Sequence, residues 1–179
     1  MLDKVNVLVT GLPGCGKSTL VNRLVSIAQQ QGFKVGGIRT PEFRNPSRKR
    51  VGFFIQDIAS EKQQIMASVE IRSPVSVGRY GVNLDAIQQI GVTAINTAIE
   101  KADLIVIDEI GKMELAVSEF LPTVLKALNS PKPVLATMGL RLQIPVISKL
   151  KNRSNLVLLT LTPENRTQIY QEIQNRVGL

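Results

Sequence analysis

The sequence predicts an α/β fold in which a mostly parallel sheet is covered by helices on both faces. Three observations predict it. Apolar, strand-like runs alternate with segments of helical period along the chain. Those runs, such as "LIVI" at 104–107, are continuously apolar rather than alternating, the pattern of strands buried on both faces. A glycine-rich turn joins the first strand to the first helix. With 179 residues the chain can bury a full core unaided. No linker composition divides it, so one domain spanning 1–179 is expected.

The elements follow in order. "VNVLVT" (5–10) is a short β-rich run. After the glycine turn, Leu20, Leu24, Ile27 and Ala28 recur at helical spacing, and Gly32 is placed to end that helix in a left-handed conformation. "KVGGIRT" (34–40) is the second strand. Around 39–83 the rhythm breaks: "RVGFFIQDIA" and "QQIMASVEIRS" are two β-rich pieces with no helical pattern between them, which predicts a β-hairpin-like insertion. Residues 84–101 carry Ile87, Ile90, Ala94, Ile95 and Ala98 on one helical face. "LIVID" is a strand, "SEFLPTVLKALN" a helix with Ser118 as its cap, and "PVLATM" and "NLVLLTL" are further strands. "PENRTQIYQEIQNRV" is a final helix, with Pro163 in its first turn.

Composition excludes several chemistries. The sequence has no histidine and one cysteine, Cys15, so a histidine base and a disulfide framework are ruled out and a structural zinc site has almost no possible ligands. A lone cysteine fits a reducing cytoplasm, and no apolar run reaches membrane-spanning length. The 22 basic against 14 acidic residues leave a net charge of +8, which suits an anionic partner such as a nucleotide, nucleic acid or acidic protein surface. Aromatic residues are only 4%, so platforms for stacking single-stranded bases are scarce.

"GLPGCGKST", Gly11 to Thr19, carries the chemistry. A glycine, four residues, then Gly-Lys-Ser, set between a strand and a helix, is the phosphate-binding P-loop. Gly11, Gly14 and Gly16 let the backbone close around a phosphate with their N–H groups pointing inward, and Leu12, Pro13 and Cys15 complete the nucleotide-binding loop. The helix N-terminus at Lys17 adds its positive dipole end. Lys17 supplies a charge for the β- and γ-phosphates, the Ser18 hydroxyl is placed for Mg²⁺, and Thr19 completes the nucleotide-binding run. Cys15 is read as a tolerated small side chain, with a redox-sensing thiol as the alternative.

The P-loop gives meaning to "DLIVIDEIGKMEL" (103–115), where a buried strand ends in adjacent carboxylates. Asp108 is the residue type that holds Mg²⁺ in such sites, and Glu109 is placed to orient or deprotonate a water. A loop-starting, solvent-facing Glu109 is the alternative. A Glu directly after this Asp resembles the P-loop group with an extra strand between the loop strand and the acidic strand. "PVLAT" (133–137) is the candidate strand, and Thr137 at its end is either a γ-phosphate sensor or a plain strand-end hydroxyl. "DEIG" also matches a switch-GTPase pattern. The guanine-reading Asn-Lys-x-Asp is missing, and "EKAD" (100–103) lacks its Asn.

The sequence resembles the small nucleoside-triphosphatase family, called cancer-related nucleoside triphosphatase in vertebrates. The resemblance rests on "TGLPGCGKSTL", "VGGIRTPEFR", "RVGF", "SVGRYGVNL", "DLIVIDEIGKMEL" and "LTPENR", and covers almost the whole chain. It implies a RecA-like P-loop NTPase core and Mg²⁺-dependent hydrolysis of ATP, GTP and other nucleoside 5′-triphosphates to diphosphates with broad base tolerance. It also implies phosphate binding by Gly11–Ser18, a magnesium role for Asp108 and water activation by Glu109. A nucleotide or nucleoside kinase is one alternative. The other is a non-hydrolysing adaptor, because "QQGFKVGGIRT" resembles the adaptor of molybdopterin guanine dinucleotide synthesis.

Three weaker signals remain. Arg44, Arg48, Lys49 and Arg50 surround a turn that is either a solvated tip or a phosphate- or partner-reaching arginine cluster. Asn165 and Arg166, at a strand-to-helix boundary, are read as base contacts or as a helix cap with surface charge. Lys112 and Glu114 are expected to anchor their loop as an ion pair.

Overall fold

The computed structural model describes residues 5–140, 142 and 153–179. β1 (Asn6–Gly11), β2 (Val35–Arg39), β8 (Leu104–Ile110), β9 (Val134–Gly139) and β10 (Leu156–Thr160) form a parallel array in the order β10-β1-β9-β8-β2. β9 therefore lies between the loop strand β1 and the acidic strand β8, pairing with both in parallel. That is the extra strand expected of "PVLAT". Successive side chains of a strand point to opposite faces. Val7 and Val9 of β1, with Leu104 and Val106 of β8, enter one buried cluster. Leu8, Ile105 and Ile107 enter the other. Continuous apolar runs thus serve two cores.

Helices close both faces. α1 (Lys17–Gln30) lays Leu20, Val21, Leu24 and Ala28 on the first cluster, beside Ile169 and Ile173 of the last helix. It ends as expected: Gly32 takes φ 84°, and the Phe33 and Gly32 amides donate to the Ala28 and Gln29 carbonyls at 3.0 Å, a Schellman closure. The other face is covered by the 84–101 segment and by α4 (Phe120–Asn129). The 84–101 segment is not one regular helix. α2 (Leu84–Ala86) leads into a π-helical turn (Ile87–Val92) and then α3 (Thr93–Lys101). A Cβ at Gly91 in that turn would stand 2.6 Å from Ile55 Cδ1, so the turn sits hard against the sheet.

Two cap expectations are corrected. α4 starts after Glu119, and the Ser118 hydroxyl donates to Glu119 Oε2 at 2.8 Å instead of capping the helix. The last helix, α5 (Arg166–Val177), starts three residues beyond Pro163. Asn165 closes a turn there by accepting from the Thr162 amide at 2.8 Å and donating to the Thr160 carbonyl at 2.9 Å.

The 39–83 region holds the expected antiparallel hairpin, and it extends the same sheet. β3 (Glu42–Arg44), β4 (Arg50–Asp57), β5 (Gln63–Ser68), β6 (Ser76–Val77) and β7 (Tyr80–Val82) pair antiparallel among themselves. β4 also pairs antiparallel with β2 through Ile38↔Asp57 and Arg39↔Gln56, covering an edge that would otherwise expose unpaired backbone groups. β4 and β5 are the two strand-like pieces; the three others are too short to show a period. Among the described residues no helix is long and apolar enough to cross a membrane.

Candidate active site

Strand ends at one edge of the parallel array gather the chemistry, as open α/β sheets require. β1 runs into Gly11, and α1 opens at Lys17 with Gly16 at its N-cap in a left-handed conformation, φ 105°. A side chain at position 16 would be strained by that φ, and its Cβ would stand 3.3 Å from Arg166 Nε. Arg166 is there because its Nε donates to the Cys15 carbonyl at 2.9 Å, bracing the loop from the start of α5. Lys17 is buried, and its Nζ donates to the Gly11 and Leu12 carbonyls at 3.1 and 3.3 Å. The Cys15 thiol points into the core, 6% exposed, which fits the small-side-chain reading and not an accessible redox sensor.

The acidic strand meets this loop. Asp108 is 3% exposed and accepts a hydrogen bond from the Thr137 hydroxyl, with the Ser18 hydroxyl nearby. Burial pushes its carboxyl above the ordinary range, while those two hydroxyls and the Lys17 charge pull it back. The Thr40 hydroxyl donates to the Asp108 carbonyl at 3.0 Å. Thr137 is thus engaged with Asp108.

Regular alternation would send Glu109 to the opposite face from Asp108. The β8–β9 register shifts between Ile107 and Ile110, a bulge of the kind that re-aims a side chain. Both carboxylates line one cleft of about 840 Å³ together with Gly16, Lys17 and Ser18. That volume is ample for a nucleotide. Burial raises the Glu109 carboxyl, with Lys17 opposing and Asp108 adding to the rise.

Glu114 corrects an expectation. It forms no ion pair with Lys112; the ion pairs among the described residues join Arg44 and Arg50 to Glu42, and Arg176 to Glu172. Glu114 instead turns inward, 3% exposed, and accepts from backbone amides at Gly111 and at its own position. A Cβ at Gly111 would stand 2.6 Å from Glu114 Oε2 and 3.2 Å from Glu109 Oε1, so the two carboxyls flank the same point. Desolvation first, and then the Glu109 charge, raise Glu114 to about 8. An apolar hollow of about 330 Å³, with Phe53, Met66 and Leu142 among its walls, opens beside both acids.

The antiparallel extension supplies the far wall. Of the four basic residues at 44–50, only Arg50 lines the cleft. It pairs with Glu42 at 3.3 Å, donates to the Tyr80 hydroxyl at 3.2 Å and lies over the Phe53 ring at 5.1 Å. Hydrogen bonds from Arg50, and then from Arg79, lower the Tyr80 phenol. Arg44 pairs with Glu42 and donates to the Arg48 carbonyl at 2.9 Å, so it belongs to an exposed turn. Asn165 spends its amide on its own turn. Arg39, Glu42, Phe53 and Tyr80 all line the cleft; they fall within the stretches "VGGIRTPEFR", "RVGF" and "SVGRYGVNL", but the sequence assigned none of them a role in the site.

A glycine loop opening a helix, facing an acidic strand end across one intervening strand, defines a P-loop NTPase of the RecA-like kind. The chain belongs to the NTPase family whose model matches residues 6–174. It is 40% identical over 174 residues to a protein named nucleoside-triphosphatase THEP1 from Methanothermobacter thermautotrophicus, covering 97% of each chain. It is 39% identical over 169 residues to THEP1 of Thermotoga maritima, covering 94% of this chain and 93% of that one. Its fold matches the crystal structure of THEP1 from Aquifex aeolicus with a TM-score of 0.84 at 32% identity, over 97% of this chain and 99% of that one. It matches the solution structure of a human cancer-related nucleoside triphosphatase with a TM-score of 0.80 at 28% identity, over 96% of each.

Proposed function

We propose that this protein, acting as one domain, hydrolyses nucleoside 5′-triphosphates to diphosphate and phosphate, with Mg²⁺ and with broad base tolerance across ATP, GTP and related substrates. One observation carries the reading: Glu109 shares a cleft with Lys17, Ser18 and Asp108. A pure nucleotide binder has no use for the second carboxylate.

The donor set suits magnesium. Mg²⁺ keeps several waters and takes one or two protein oxygens beside the substrate phosphates; the Asp108 carboxylate and the Ser18 hydroxyl are two such oxygens, lining one cleft. When bound, the ion would neutralise charge on the β- and γ-phosphates. The Gly11–Ser18 amides and the α1 N-terminus hold the phosphate chain, and Lys17 supplies a full charge. Glu109 accepts a hydrogen bond from the attacking water and takes its proton. The water oxygen bonds to the γ-phosphorus as the bond to the bridging oxygen breaks, leaving the electron pair on the diphosphate. Asn165 spends its side chain on the turn at Thr160 and Thr162, while Arg166 spends its Nε on the loop and so supports nucleotide binding through it. That supports broad base tolerance. A cytoplasmic setting fits a single, buried thiol. Nucleic acid as a further anionic partner would give the +8 charge a use, and stimulation of turnover lost with salt is its sign.

The test is phosphate release from ATP, GTP, CTP and UTP with magnesium and after chelation. All four should release phosphate, within about tenfold of one another, and chelation should abolish release. A nucleotide bound tightly without magnesium-dependent release would overturn the reading in favour of an adaptor. Phosphate passing to added nucleosides or monophosphates faster than to water would overturn it in favour of a kinase.

A further inference from the structure

Arg39 ends β2, and its partners in register are Asp108 on β8 and Gln56 on β4. Partners in register on neighbouring strands project from the same face of a sheet. Arg39 therefore stands in a row between the Asp108 and Gln56 side chains. Its Nε donates to Gln56 Oε1 at 2.8 Å, which fixes the plane of the guanidinium. The side chain lines the same cleft as Lys17, Ser18, Asp108 and Glu109. None of the ion pairs among the described residues includes it. Arg50 differs on this point, being engaged by Glu42 and Tyr80.

Held through Nε, an arginine presents its two terminal nitrogens as a fork that matches a pair of phosphate oxygens. In phosphoryl transfer the negative charge spreads over the equatorial oxygens of the γ-phosphoryl group, so a positioned cation there acts mainly on the transition state. We infer that Arg39 is a catalytic residue acting in cis, with its Gln56-anchored fork contacting the γ-phosphoryl oxygens opposite Asp108. The inference rests on the hydrolase reading and goes beyond it: the chain carries its own arginine and needs none from a partner. Gln56 is the positioning residue.

The test combines turnover with trapping of nucleoside diphosphate, Mg²⁺ and aluminium fluoride, which mimics the group in flight. Arg39→Ala should lower kcat by roughly 10²–10³ with KM changed only a few-fold. It should bind diphosphate like wild type, yet fail to trap the fluoride complex. Arg39→Lys keeps the charge without the fork and should lose most of the same activity, while Gln56→Ala should lose about tenfold in kcat. Equal mixtures of Arg39→Ala and Lys17→Ala should stay as inactive as the sum of their parts. Recovery in the mixture would overturn the cis assignment. An Arg39→Ala chain that turns over and traps like an active wild type would overturn Arg39's role alone. A wild type that neither hydrolyses nor traps would overturn the hydrolase reading and the arginine's role with it.

Discussion

The two sides of the cleft are made differently. The phosphate loop is mostly local: its shape comes from glycines within six residues, its lysine bonds to carbonyls of the same loop, and Arg166 and the Leu140 amide brace it from afar. The acidic side is assembled from afar. Asp108 is held by Thr137 from β9, its carbonyl is held by Thr40 beyond β2, and Arg39 flanks it from the neighbouring strand. Backbone amides make an anion site wherever the chain turns correctly. Carboxylates become useful only where other elements set their partners and burial. In the proposed reading, the first side binds and the second decides what happens to what is bound.

The sharpest way to break that division is Lys17→Ala. Removing one charged donor from the loop should weaken nucleotide binding roughly 10–100-fold, and turnover should fall at least as far. Isothermal titration with a slowly hydrolysed triphosphate checks it; wild-type affinity would mean that the loop does not bind through this charge.

A smaller effect tests the other side. Glu114 has a folded pKa of about 8 against an ordinary 4.5. Between those values the folded chain holds a proton that the unfolded chain has released, so this group makes stability fall as pH rises through that window, with no contribution below it. Glu114→Gln stays neutral, so its Tm should fall less than that of wild type between about pH 5 and about pH 9. Parallel Tm curves for the two proteins would show that Glu114 is not the buried acid described here.

The same division explains what could be read without coordinates. Gly11–Ser18 and the Asp108–Glu109 doublet were legible because spacing within a few residues fixes their chemistry, and the parallel strands because double-sided burial leaves unbroken apolar runs. Glu114 was not. Two residues after Lys112 it reads as half of an exposed ion pair, and only the fold of the Gly111 turn puts it beside Glu109. Arg39 gained its setting from strand register, which no local pattern encodes. The antiparallel extension was half legible: β4 and β5 are long enough to show β-character, whereas β3, β6 and β7 owe their existence to pairing. The loop between β9 and β10, "ATMGLRLQIP", lies largely outside the described residues.

Glu109→Gln is the direct trial of the central claim, because it keeps the shape and removes only the proton acceptor. Single-turnover phosphate release, measured beside nucleotide affinity, should slow by roughly 10²–10⁴ with Kd within a few-fold of wild type. Release at the wild-type rate from a variant that binds normally would contradict the account.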